Sequence, residues 1–245
     1  MKKALKRNQI YFFSFLVITA VLFILAGLIW ITSWNFDVKM LVFVLLIILL
    51  LVESFWFQPR VLFYSQQANM IRLKEQASPA ITYGYNPMNV EGYSHIVNLG
   101  FKAFIDNDEI SLLYRIERNP YKKIAKSGIL EIVVLLKSSK FYFQSIEIQH
   151  IINRLEDDLA KQKLFLPTYT ILVLQAGDKI TEEIQNSLQQ VMFDRISQRN
   201  TVLINGFYET NSGLLHYLHS DTYSPSVYYR WACDLMAGLS QKTTS

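Results

Sequence analysis

Two long apolar runs, residues 11–32 and 40–57, constrain this chain more than anything else in it. No charged residue stands between Arg7 and Asp37. A helix needs about 20 apolar residues to cross roughly 30 Å of hydrocarbon, and both runs meet that length. A buried core helix would keep a polar face, and neither run has one. A cleaved signal peptide has an apolar stretch of about 7–15 residues ending at small residues, whereas the first run is longer and ends at the bulky Trp30 and Trp34. The expectation is therefore a transmembrane hairpin, with the lipid bilayer as its first partner.

Charge orients the hairpin. Lys2, Lys3, Lys6 and Arg7 precede the first run, Asp37 and Lys39 cancel in the connecting loop, and Arg60, Arg72 and Lys74 follow the second. Positive flanks stay inside, which predicts a two-pass protein of the cell membrane with both termini cytoplasmic. Trp30, Trp34 and Phe36 at one boundary and Phe55, Trp56 and Phe57 at the other match interfacial aromatic belts. Glu53 stands near the cytoplasmic end of its run. It reads as marking that end or extending toward the headgroups rather than lining an ion pathway.

Of the 24 Lys/Arg and 20 Asp/Glu, five and two fall in residues 1–57, leaving 19 and 18 beyond. The excess positive charge thus belongs mostly to the membrane flank, and the remainder carries no strong nucleic-acid signal. Cys233 is the single cysteine, so the chain has no intrachain disulfide and no paired-cysteine metal or redox motif. Neither a cofactor nor a metal is expected.

The domain organisation reads as the hairpin (1–57), a juxtamembrane helix and linker (58–90), and one cytoplasmic α/β domain (91–245). Residues 61–77 are amphipathic, Ser78-Pro79 reads as a stop, and 80–93 is rich in Tyr, Asn, Gly and Pro. A β-hairpin follows over 101–117, turning at Asp106-Asn107-Asp108. The lysines Lys122, Lys123 and Lys126 read as a solvated loop. Residues 129–136 form a nearly continuous apolar run, as in a strand covered on both faces. Ser145 starts a helix with Ile148, Ile151, Ile152, Leu155 and Leu159 on one stripe. A second buried strand spans 169–175, and Thr181 caps a helix with Ile184, Leu188, Val191, Met192 and Ile196 inward. A third strand covers 201–207, and residues 214–218 read as another. Ser224-Pro225 then opens a final helix burying Val227, Tyr228, Trp231 and Leu235. The fold expected is a three-layer α/β domain with a mainly parallel central sheet.

Ligands of such sheets bind beyond the carboxyl ends of the strands, which selects Lys137, Asp178 and Asn205 as candidate ligand-binding residues. A β pair leading into strand–helix–strand–helix–strand resembles restriction-endonuclease-like folds. That resemblance implies an upstream acid and an acid-x-Lys pair holding a metal that activates water. Here Lys137 matches the lysine, Leu135 stands at the acid, and Asp106, Asp108 or Glu109 could supply only the upstream carboxylate. The resemblance therefore implies a fold whose metal site is lost. His216, His219 and Asp221 would share a face on a helix, but the surrounding residues read as a strand, which sends the two imidazoles to opposite faces. No phosphate-binding glycine loop or nucleophile elbow appears. The reading is a membrane-anchored, non-enzymatic interaction, scaffold or regulatory module that binds a protein partner or a copy of itself. The rivals are an atypical nuclease-like hydrolase and a two-helix pore-forming effector with a sensing domain.

Overall fold

The computed structural model describes residues 2–121, 128–138, 142–143, 145–162, 166–196 and 199–239. Lys122, Lys123, Lys126, Ser139, Lys140 and the C-terminal residues 241–245 lie outside them. The chain divides into two compact units, Met1–Glu75 and Gln76–Ser245.

The first unit is two helices, α1 (Lys2–Ile31) and α2 (Phe36–Glu75), each long and apolar enough to cross a membrane. Their apolar side chains point outward, Phe13, Phe23, Leu41 and Phe55 among them. Between the helices Tyr11 stacks on Tyr64 at 5.2 Å and meets Phe57 edge-on at 6.3 Å. The expected juxtamembrane helix after the second run is continuous with it, because α2 runs on through Pro59 to Glu75. Proline opens the turn before it by removing a backbone donor. One residue on, Arg60 Nη1 donates to Trp56 O at 2.6 Å while its guanidinium lies 3.9 Å over the Trp56 ring. Glu53 is 8% exposed and its carboxyl crosses to α1, where Oε1 accepts from Thr19 Oγ1 at 3.3 Å.

The second unit is a mixed α/β structure. Its elements are β1 (Ile81–Thr82), α3 (Val90–Asn98), β2 (Lys102–Asp106), β3 (Ile110–Arg118), β4 (Gly128–Leu136), α4 (Ile146–Lys161) and β5 (Thr168–Gly177), then α5 (Glu182–Leu188), β6 (Met192–Ile196), β7 (Arg199–Glu209), β8 (Leu214–Tyr217) and α6 (Val227–Gly238). One eight-stranded sheet runs β1-β8-β7-β5-β4-β3-β2, with β6 also on β7. The central strands β4, β5 and β7 are parallel, as the spacing of three buried strands and two helices anticipated. Antiparallel strands extend this centre on both sides: β3 and β2 beyond β4, and β6, β8 and β1 beyond β7.

Alternation along β4 divides its side chains between two faces. Leu130, Ile132, Val134 and Leu136 pack with Ile148, Ile152, Leu155 and Leu159 of α4 in one apolar core. Each such side chain contributes about 1.5–3 kcal/mol when fully buried. On the opposite face Glu131 bonds Trp231 of α6, and Met236 of the same helix packs against Gly206 of β7. Both faces are covered, which is why 129–136 lacks a polar alternation.

Four local expectations differ. The helix capped by Thr181 stops at Leu188, and 192–196 pairs with β7 as a strand instead of completing a helical stripe. Asn205 enforces that stop by donating to Ser187 O at 2.9 Å and Gln190 O at 3.2 Å, the carbonyls a longer helix would need. The last helix is capped by Ser226 rather than Ser224, and it buries Tyr229, Ala232 and Met236 while Val227 is exposed. Residues 80–90, expected as linker, enter the fold through β1 on β8 and a Tyr83 N to Gly213 O bond of 2.9 Å. Residues 90–98 form α3, whose cap is the Asn89 side chain accepting from Gly92 N. Gly92 is required there, because an added Cβ would sit 2.1 Å from Asn86 O.

Candidate functional site

Lys137 follows β4 on the face shared with α3 and α6. Its Nζ donates to Asp106 Oδ1 at 2.7 Å and to Asn107 O at 2.9 Å. Asp106 closes β2 opposite Ser111, whose hydroxyl donates to the same carboxylate at 2.5 Å. Tyr93 of α3 presents its ring 5.8 Å from the Lys137 ammonium. The bond from Lys137, then that from Ser111, holds the Asp106 carboxyl below the usual carboxylate range. Partial burial, then the Asp106 charge, pushes the Tyr93 hydroxyl up. The upstream acid and the lysine of the endonuclease-like comparison therefore meet. At the remaining acid position Leu135 is 0% exposed, packed inside the core. Among the described residues no group of three or more His, Cys, Asp or Glu could hold a metal ion.

The other two candidates serve the scaffold and do not join Lys137. Asp178 follows β5 and accepts from Thr210 Oγ1 at 2.8 Å, and its carbonyl accepts from Asn211 at 3.0 Å, tying the β5 end to the β7–β8 turn. Asn205 is fully buried opposite Val173. That is five residues short of Asp178 in register, about 16 Å along the strand. His216 lies on β8 with Nε2 3.8 Å from Glu209, His219 stacks on Tyr217 at 4.3 Å, and Asp221 accepts from Ser78 at 2.8 Å. His216 Nε2 makes no hydrogen bond among the described residues, and the three groups form no cluster that could hold a metal ion. Cys233 in α6 has its thiol pushed up to about 12 by burial and then by Asp234, the opposite of an activated nucleophile.

A second polar centre escaped the sequence reading. Glu131 lies in the middle of β4, in register with Arg115 of β3, and is 0% exposed. Its Oε2 accepts from Arg115 Nε at 2.8 Å and its Oε1 from Trp231 Nε1 at 2.8 Å. Arg115 Nη1 donates to Leu99 O at 2.6 Å, and the guanidinium rests 4.6 Å over the Phe101 ring. Burial outweighs Arg115 and Trp231 and pushes the Glu131 carboxyl upward. These groups floor a cavity of about 280 Å³ between α6 and the β3–β4 pair, closed by Leu99, Leu235 and Leu239 with Asp234 at its side. The available signal was one acid inside an apolar strand run, since a buried charge demands a partner.

No family model, curated protein or solved structure matches this chain.

Proposed function

We propose that the chain is a two-pass membrane protein whose α/β unit lies in the cytoplasm and acts by binding, as an interaction, scaffold or regulatory module. The anchoring half rests on two uninterrupted apolar helices and on the basic residues that flank them. The observation that carries the functional half is that Lys137, Asp178 and Asn205, the polar groups best placed for chemistry, are already spent on internal bonds. A side chain committed to holding a turn or a helix end is poorly free to bind substrate or move a proton. The partner is a second protein or a copy of this chain, held beneath the bilayer by the hairpin. Chemical crosslinking of the full chain in its own membrane tests this. A reproducible crosslink from lysines beyond residue 57 to one protein, or to a second copy, is expected. Absence of any such crosslink, together with a monomeric mass in nanodiscs, would refute it.

One observation favours a second reading, a degenerate nuclease-like hydrolase: Asp106 and Lys137 meet at 2.7 Å at the strand ends. Metal-dependent cleavage of DNA or RNA by the full chain, abolished by Lys137→Ala, would establish it over the binding reading.

A further inference from the structure

We propose that the cavity between β8 and α6 binds a small uncharged ligand through an amide edge, an N–H beside a C=O. This goes beyond the anchored-module reading and does not depend on it. The cavity measures about 350 Å³, inside the range of roughly 300–1,000 Å³ in which ligand sites fall. His219 and Tyr217 form its floor. Their rings stack at 4.3 Å, so both point the same way, and Tyr217 pairs with Gly206, where an added Cβ would meet Met236 of α6 at 3.1 Å. The two side chains are more than nine-tenths buried, at 6% and 8% exposed. Each nevertheless keeps a polar atom that no group among the described residues answers.

The chemistry of those two atoms selects the ligand. His219 Nδ1 lies 3.2 Å from Tyr217 O, and a carbonyl only accepts, so the proton of the neutral ring sits on Nδ1. Nε2 then presents a lone pair. It has no partner among the described residues and, unlike His216 Nε2, is not sealed from solvent, which leaves the cavity it lines as its outlet. The Tyr217 hydroxyl is pushed up by burial and then by Cys233, Asp221 and Asp234, all of which line the same cavity. It therefore keeps its proton and faces this cavity as a donor. Other polar linings are bonded within the protein: Tyr229 donates to Leu218 O at 2.6 Å, Asp221 accepts from Ser78 at 2.8 Å, and Ser224 donates to Ser226 O at 2.8 Å. One acceptor beside one donor is the complement of an amide edge, with the ligand N–H on Nε2 and its C=O on the hydroxyl. A charged group on this neutral floor would leave water without a counter-ion. At the rim Arg230 and Asp234, both exposed, offset each other in charge.

The test uses the full chain in nanodiscs and saturation-transfer difference NMR. Pyrrolidone is the probe, and N-methylpyrrolidone is the same ring without the donor. Saturable binding of pyrrolidone is expected, with the methylated ring about fivefold weaker, the scale of one neutral hydrogen bond. His219→Phe keeps a flat ring on Tyr217 and removes the acceptor, so it should bind both lactams alike. Tyr217→Phe deletes a hydroxyl that has no protein partner and keeps the fold; it should weaken both lactams by a similar factor, since both retain the carbonyl. Circular dichroism checks that each variant is folded. Butanamide and uracil separate two sources of the same edge: tighter butanamide assigns an open carboxamide, and tighter uracil assigns a heterocyclic base. No saturable lactam binding, equal affinity for the two lactams in the unaltered chain, a preference between them that survives His219→Phe, or tighter binding of butanoate or butylammonium than of pyrrolidone would overturn the proposal.

Discussion

Replacing Asn205 separates a scaffold role from a ligand role more cleanly than any other change in the α/β unit. Its amide donates to Ser187 O and Gln190 O, and these two bonds end α5 and release the chain into β6. Asn205→Ala removes both bonds from a fully buried side chain, while Ser187 O keeps the Gln190 N–H at 3.1 Å. A net hydrogen bond is worth about 0.5–1.5 kcal/mol, so a total loss of about 1–3 kcal/mol is expected. Asn205→Asp should cost more, because it sets carboxylate oxygens against two carbonyl oxygens. Guanidinium unfolding of the full chain in nanodiscs, followed by far-UV circular dichroism, reads the effect as a lower midpoint at unchanged slope. Hydrogen exchange should locate the loosening at the end of α5 and in β6. A shift under about 0.5 kcal/mol for both variants would refute the capping argument, being the scale of an ordinary surface substitution.

Other outcomes follow from the same packing. Gly92→Ala should displace α3 or cost about 1–3 kcal/mol, because the new Cβ would lie 2.1 Å from Asn86 O, and thermal unfolding measures it. Glu131→Met alone should destabilise by about 3–5 kcal/mol, while Glu131→Met with Arg115→Met should recover most of that loss, as expected when a buried pair is removed whole; chemical denaturation of the single and double variants decides. The Cys233 thiol is pushed up to about 12 from an ordinary 9.0, so its neutral form is favoured on folding and its contribution to stability falls as pH rises from about 9 toward 12. Its alkylation by iodoacetamide at pH 8 should be much slower in the folded protein than in guanidinium. Asp106 titrates the other way. With its carboxyl held low by Lys137 and Ser111, its stabilisation is present above the usual carboxylate range and is lost as pH falls through the lowered value. Lys137→Ala should reduce that acid-side dependence without abolishing it, because the Ser111 bond remains, and acid unfolding followed by circular dichroism measures the difference.

The sequence carried the parallel centre of the sheet because burial on both faces removes alternation. Residues 129–136 could hardly be anything but a covered strand. Thr181 was legible as a helix start from its capping chemistry and Ser145 from the apolar stripe that follows it, and the structure begins α4 and α5 directly after them, with a side-chain cap bond from Thr181 only. The end of α5 was not legible: Val191, Met192 and Ile196 continue a helical stripe, and only a tertiary donor from Asn205 stops it. The edge strand β1 is two residues long and exists through pairing with β8, more than a hundred residues away in the chain. Of the candidate site, Lys137 was found by position, but its partner Asp106 could be named only as one of three acids. Glu131 went unread because an acid inside a strand run looks like an irregularity until Arg115 and Trp231 are seen to bind it.

Cysteine labelling from one side of the membrane tests the central claim most directly. In a Cys233→Ala background, Ser33→Cys lies in the exposed connection between α1 and α2, and Ser212→Cys lies in the exposed turn between β7 and β8. An impermeant maleimide added to intact cells should label Ser33→Cys at once and reach Ser212→Cys only after the membrane is opened. Labelling of Ser212→Cys in intact cells, or protection of Ser33→Cys there, would contradict a two-pass hairpin holding the α/β unit inside.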